Sequence, residues 1–486
     1  MPAMPRFRAL PAPLVALALA AAPLPGQSVA DHPRVREALA AYEKWLDGER
    51  AFKKIPGVAT AIVVDQEVIY QGASGYADLA RKVPASPDAL YSICSISKLF
   101  TSIATLQLRD RGALRLDDPV ARHLPWATPA APAGDDTPVT VEGLLTHAAG
   151  LQRELADTLW LEPLMVFPSQ AELEAGTRGR DLAYAPGRHF QYSNLGFTLL
   201  GNVVAAASRT PYHEYIAANV LRPLGLRNTF SEMPAQEQGK RLAVGYSGVD
   251  RDGTRHPMPF FQTKAMAPAA GFASTARDLA AFASWQFRLL RAGGTDVLAA
   301  RTLREMQRVH FLDPGWETTW GLGFEVWRDD GQTFVGHGGS CPGFRTQLSL
   351  KPDQQLAVVV MTNAGDANAF ALAQRGMDFL APALKEARAD STRAITSAPA
   401  SIDRYLGTYW GFGGEMEVIR WQGGLATLDI PSDRPLKAIT RYRQLGDNLF
   451  REIRADGELG ERLTFDLDAD GRPLRARTNY IMRRLR

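Results

Sequence analysis

The chain has 486 residues, 45% hydrophobic and 22% charged, long enough for two or more domains and a sizeable core. Its formal net charge is +3 with no run of single-sign charge, which excludes the electrostatic footprint of a nucleic-acid or acidic-membrane binder. Its two cysteines, Cys94 and Cys341, make neither a disulfide framework nor a cysteine-based zinc site; they bridge in an oxidising compartment or stand as two small buried thiols.

Arg6 and Arg8 precede an alanine- and leucine-rich run from Leu10 to Leu24, and Ser28-Val29-Ala30 supplies a small-x-small cleavage pattern. Residues 1–30 are therefore predicted as a secretory signal peptide, with Pro11, Pro13 and Pro23 interrupting the run short of a membrane span. Cleavage leaves a chain starting near Asp31 with net charge +1, exported to the periplasm or the exterior and without stable membrane insertion.

Val35, Leu39, Tyr42, Leu46 and Phe52 recur at helical spacing and predict an amphipathic helix over 34–54. Ala59–Val64 and Val68–Gln71, either side of Asp65-Gln66-Glu67, predict a β-hairpin. After a turn at Ala85–Asp88, a helix begins at Ser95 and runs to Gly112. Leu99, Phe100, Ile103, Leu106 and Leu108 make it apolar around most of its circumference, so it is a buried helix. Leu114–Arg308 reads as mainly helical with long loops, including a helix after Asn194 and one opened by a Thr275–Asp278 capping box. Strand patterns return at 323–326, 333–336, 344–350 and 356–362, and Ala369–Leu380 closes the region as a helix stopped near Pro382.

Strands at both ends with helices between them predict an α+β domain over 31–386, its antiparallel sheet built from distant segments. A linker is expected over 387–400. Residues 401–486 carry short alternating runs punctuated by Gly413-Gly414, Gly423-Gly424, Asp456-Gly457 and Asp470-Gly471, which predict a small antiparallel β-barrel.

Three short patterns carry chemistry. Ser95-x-x-Lys98 places an amine one turn from a hydroxyl, and a neighbouring base turns a weak nucleophile into a competent one. Tyr192-Ser193-Asn194 offers a tyrosine whose lowered pKa suits a general base, and an amide that orients a lysine and a substrate carbonyl. His337-Gly338-Gly339-Ser340 offers glycines that admit a close ligand, and the N–H of Ser340 with that of Ser95 forms an expected oxyanion hole. Each pattern alone also fits a plain structural role, as helix cap, core tyrosine or glycine turn.

Together, in this order, they resemble the three motifs of the serine β-lactamase and penicillin-binding-protein superfamily. Leu144-Leu145-Thr146-His147, Pro186-Gly187, Pro223-Leu224-Gly225-Leu226, Ala270-Gly271-Phe272 and Trp320-Gly321-Leu322-Gly323 are similar to the class C β-lactamase, D-aminopeptidase and esterase branch. The resemblance covers roughly 40–385 and implies a β-lactamase/transpeptidase-like fold, an antiparallel sheet covered by helices beside a mainly helical lobe. The C-terminal segment is similar to the lipocalin-like domain that follows the catalytic domain in several such peptidases.

The resemblance implies Ser95 as the acylated nucleophile, Lys98 as its proton partner, Tyr192 as the base that later protonates the leaving group, and Asn194 as the orienting amide. His337 would line the site, Gly338 and Gly339 would meet the substrate, and His147 would be structural. No metal or cofactor is implied. True β-lactamases of this branch carry lysine where this chain has His337, which favours a small amide or peptide substrate, then an ester (a carboxylesterase), then a β-lactam. A non-catalytic, penicillin-binding acyl sensor is the remaining alternative. The two cysteines flank the same site, one residue before Ser95 and four after His337, so a Cys94–Cys341 bridge is a hypothesis alongside two free thiols.

Overall fold

The computed structural model describes residues 28–130, 136–157, 159–161, 164–329, 331–389 and 400–485. The arginines and apolar run of the expected signal peptide, and most of the expected linker, lie outside the described residues.

The central sheet joins the two ends of the first domain. Helix α1 (Pro33–Phe52) leads into β1 (Gly57–Val64) and β2 (Glu67–Asp78). Three long helices follow: α2 (Ser97–Asp110), α3 (Asn194–Ser208) and α4 (Ala276–Ala292). The chain then returns through β3 (Glu325–Asp329), β4 (Gln332–Cys341), β5 (Phe344–Lys351), β6 (Leu356–Thr362) and α5 (Ala369–Ala389). The order β2-β1-β6-β5-β4-β3 is antiparallel throughout, and two-residue strands at its edges bring the sheet to nine among the described residues. β1 pairs with β6 from Val58↔Thr362 to Val64↔Leu356.

Continuous apolar runs in β1 and β6 follow from burial on both faces. Ala59, Ala61, Val63, Ala357, Val359 and Met361 face the helical lobe; Val58, Ile62, Val64, Leu356, Val358 and Val360 face α1 and α5. Helix α2 lies inside the lobe, buried from Ser97 to Leu108. Its Phe100 stacks on Phe272 and Phe282, with ring centroids 5.2 and 4.7 Å away.

Two local expectations are corrected. Helix α5 does not stop at Pro382 but runs through it to Ala389. The proline is exposed, so the carbonyl it leaves unpaired is on the solvent side, while Leu380, Ala383 and Leu384 hold the helix to the sheet. At the start of α4, Thr275 Oγ1 accepts from Asp278 N (3.1 Å), but the return half of the box is absent. The Asp278 carboxylate accepts from Asn228 N and Thr229 Oγ1 instead (2.8 and 3.0 Å).

Eight antiparallel strands from Gly407 to Arg484 form a closed barrel, sealed by Tyr409↔Arg484 and Trp410↔Arg483. Tyr405, Tyr409, Phe450, Leu463 and Phe465 fill its interior. The barrel docks on the rear of the first domain, where Ile419, Ala426, Leu428 and Ile430 join the cluster of α1 and α5. Trp45 Nε1 donates to Ser432 O (2.9 Å) and Ser432 N to Glu49 Oε1 (2.7 Å) across this seam. Gly48 permits the approach: a Cβ there would lie 2.6 Å from the Ile430 side chain.

Candidate active site

Ser95 sits in a single 3-10 turn, Cys94–Ile96, that feeds directly into α2. Cys94 takes a left-handed conformation (φ 48°), and Ser97 Oγ donates to its carbonyl (2.5 Å), so the chain turns sharply around the serine. Ser95 faces the cleft while Lys98, one turn on, is fully buried.

Lys98 Nζ has three polar neighbours: Ser95 Oγ at 3.2 Å, Asn194 Oδ1 at 2.7 Å and the Ala269 carbonyl at 2.8 Å. Burial holds its pKa well below the ordinary 10.5; the Glu154 carboxylate opposes that shift and Arg153 adds to it. A neutral amine has two N–H groups and one lone pair. Asn194 Oδ1 and Ala269 O can only accept, so a deprotonated Lys98 would spend its two hydrogens on them and turn its lone pair to the Ser95 hydroxyl.

Tyr192 hydrogen-bonds Ser95, but burial outweighs that bond and raises the phenol above its usual range. The expected lowered tyrosine is thus corrected: burial raises the phenol, and the amine beside Ser95 is that of Lys98, which burial pushes down. His147 props Tyr192 from behind. Its Nδ1 accepts from Ser193 N (3.0 Å), its ring stacks on Tyr192 at 4.2 Å, and Trp320 meets it edge-on at 4.9 Å.

Asn194 opens α3 behind the N-cap Ser193, whose Oγ accepts from Gly196 N (2.9 Å). The Arg153 carbonyl receives Asn194 N (2.8 Å) and Leu195 N (3.1 Å), tying the helix start to the loop after Gly150. The same loop supplies Glu154, which sequence reasoning missed. Its Oε1 accepts from Asn194 Nδ2 (2.5 Å) and Trp160 Nε1 (3.0 Å). With Nδ2 held there, Oδ1 must face Lys98. Glu154 lies in irregular chain, so no periodicity marks it.

Glu154→Gln keeps an oxygen for Asn194 but removes the charge that raises Lys98. It should therefore shift the acidic limb of kcat/KM to lower pH and reduce kcat about tenfold through looser positioning. A pH–rate profile checks this; an unshifted limb would contradict it.

His337 is not at the cleft surface. It is 3% exposed, sits behind Tyr192 and Trp320, and is absent from the cleft lining. Nδ1–H donates to Gly338 O (2.6 Å), and burial, aided by Lys98, pulls the pKa down to about 3. In the unfolded chain the ring titrates near 6.5. Stability from the buried neutral ring is therefore complete above about pH 6.5 and lost as pH falls toward 3. Denaturant unfolding across that window should show wild type losing ground to His337→Asn; parallel curves would contradict the burial argument.

Gly339 is buried, and a Cβ there would lie 2.3 Å from Ile93 O, so its small size lets β4 press against the Ser95 turn. β3 pairs with β4 only as far as Gly336, which leaves the segment to Cys341 with β5 on one side and the cleft on the other. Ser340 is exposed on that edge. The cleft, about 450 Å³, is walled by Ser95, Glu154, Trp160, Asn194, Ser340 and Arg345 among others, and no barrel residue belongs to it. A larger hollow of about 630 Å³ lies between α1 and the β1–β2 hairpin, but its Asp47, Arg50 and Ser74 bond one another. Among the described residues no histidine, cysteine and carboxylate group is arranged to hold a metal ion, and no helix is long and apolar enough to cross a membrane.

The family model described as Beta-lactamase matches residues 43–383, most of the chain and all of the cleft. The chain belongs to the beta-lactamase family. It is 27% identical over 320 residues to the D-alanyl-D-alanine-carboxypeptidase/endopeptidase AmpH of Escherichia coli (strain K12), covering 63% of this chain and 80% of that protein. It is 26% identical over 321 residues to Protein flp of Staphylococcus aureus (strain N315), covering 64% of this chain. The match spans 60% of the length of that relative. The octameric penicillin-binding protein homologue from Pyrococcus abyssi shares the fold across both domains of this beta-lactamase-family chain. Its TM-score is 0.63 at 22% identity, over 91% of this chain and 99% of that one.

Proposed function

We propose that this beta-lactamase-family protein is an exported serine hydrolase that forms a covalent acyl-enzyme on Ser95 with small amide or peptide substrates, in the manner of a D-aminopeptidase or DD-peptidase. The observation that carries the reading is the environment of Lys98: buried, depressed, with two acceptors for its hydrogens and the Ser95 hydroxyl at 3.2 Å.

In this reading the Lys98 lone pair takes the Ser95 proton as Oγ attacks the substrate carbonyl carbon. The carbonyl oxygen becomes an oxyanion between the N–H groups of Ser95 and Ser340. The Tyr192 phenol gives its proton to the departing nitrogen as the C–N bond breaks, and the Lys98 ammonium refills the phenol. Water then attacks the ester on Ser95 by the same route in reverse, releasing the acid and restoring the serine. Asn194 keeps the amine in register, with Glu154 behind it.

The similarity to AmpH, a D-alanyl-D-alanine-carboxypeptidase/endopeptidase, supports a peptide with a D-residue. Arg153 and Arg345 in the cleft wall suit a substrate carboxylate, whereas the uncharged His337 supplies no fixed cation for a β-lactam. Turnover of a D-alanyl anilide, a short-chain nitrophenyl ester and a chromogenic cephalosporin tests the order. The anilide should show the highest kcat/KM. Preference for the ester would make the protein a carboxylesterase, preference for the cephalosporin a β-lactamase, and labelling without turnover a sensor.

A further inference from the structure

Both cysteines of the chain are spent on one disulfide, Cys94–Cys341, with Cα atoms 5.8 Å apart. Its placement is specific: Cys94 directly precedes Ser95 and Cys341 directly follows Ser340. The bridge therefore spans the two residues to which the acyl-enzyme reading assigns the oxyanion, one in the turn before α2 and one on the free edge of β4.

Besides the bridge, the Ser92 hydroxyl meets Cys341 Sγ (3.4 Å) and Tyr91 packs edge-on against Phe344. Thr346 Oγ1 reaches Ile93 O at 3.3 Å, and Gly339 is in contact with the same carbonyl. Beyond Gly336, β4 has a sheet neighbour on one side only. Cys94 also holds a left-handed backbone (φ 48°), a conformation that a residue carrying a Cβ resists. Without a tether the turn has a reason to relax, and the strand edge has freedom to move away.

We propose that the Cys94–Cys341 bridge is a positioning brace for the oxyanion pair, so that acylation of Ser95 is fast only when the bridge is formed. The proposal rests on the acyl-enzyme reading above and adds a condition to it. A dithiol such as dithiothreitol supplies two electrons and two protons, leaves Cys94 and Cys341 as thiols, and is itself oxidised to a cyclic disulfide. The reduced protein retains Ser95, Lys98 and Tyr192 but not the fixed spacing of the two N–H groups.

The test compares full-length wild type, dithiothreitol-reduced wild type, Cys94→Ala/Cys341→Ser and Cys94→Gly/Cys341→Ser. Each is checked as folded at 25 °C by circular dichroism. Measured quantities are kcat and KM on the best substrate, the rate of fluorophosphonate labelling, and the affinity of a boronic acid whose tetrahedral adduct occupies the oxyanion site. Losing an oxyanion donor outright costs about 10²–10³ in kcat, so a displaced one should cost about 10- to 100-fold. That drop is expected in reduced wild type and in the alanine–serine variant, with boronate affinity falling in step and KM moving less than about twofold. The glycine–serine variant should recover part of the loss, because glycine accepts the left-handed turn unaided.

Unchanged kcat and boronate affinity with only a lower melting temperature would make the bridge a plain staple and overturn the brace. If the variants do not fold, reduced wild type decides alone. Wild type that takes no label on Ser95 overturns the acyl-enzyme reading and the brace with it; equal labelling of braced and reduced forms at Ser95 overturns the brace alone.

Discussion

Ser95→Ala should lower turnover by roughly 10⁴- to 10⁶-fold, the scale seen when a nucleophile is removed from a site whose groups act as a unit. The fold should survive, because the change deletes one oxygen at the cleft surface and leaves the packing of α2 untouched. Lys98 loses only its longest contact, the 3.2 Å one, and keeps Asn194 and Ala269. Steady-state turnover with a matched melting curve checks both halves. Retained activity in a folded variant would remove Ser95 from the chemistry.

Lys98→Met should be nearly as damaging, about 10³- to 10⁶-fold in kcat, because it removes the amine 3.2 Å from the Ser95 hydroxyl that the proposed mechanism uses as base. Methionine fills nearly the same volume, so any loss is chemical more than steric. Its cost to stability has two opposing parts. Asn194 Oδ1 and Ala269 O lose a buried donor, worth about 1–3 kcal/mol each, while the burden of a desolvated amine disappears. A melting temperature near that of wild type with activity almost gone is the expected pair of results. A variant that acylates normally would mean that Lys98 only packs the cleft floor.

The architecture was legible where burial writes itself into the chain. Leu356–Thr362 is a run of the right length and branching for a strand covered on both faces, and it occupies those residues as β6. The alternating, glycine-punctuated end reads as a barrel and closes as one. Ser95, Lys98, Tyr192 and Asn194 were legible because short spacings and sharp local turns carry them, and the fold brings all four together.

What the sequence hid depends on the third dimension. Pro382 looks like a helix stop until the packing of Leu380 and Leu384 outweighs one lost hydrogen bond. Gly339 reads as a substrate contact and His337 as a wall of the site, yet the first packs against Ile93 and the second is a buried ring. The sign of the Tyr192 shift depends on total burial, which no local motif encodes. Glu154 contacts Asn194 from a loop with no periodic signature. Whether Cys94 and Cys341 meet was open on composition alone, and the approach of β4 to the Ser95 turn joins them.

In the proposed mechanism Ser95 carries a covalent acyl group. The most direct test is mass spectrometry of wild-type protein after brief exposure to a fluorophosphonate or a fluorescent penicillin, followed by peptide mapping. One adduct per chain, confined to the peptide that contains Ser95, is the predicted result. An adduct on another residue, or none in a folded protein, would contradict it.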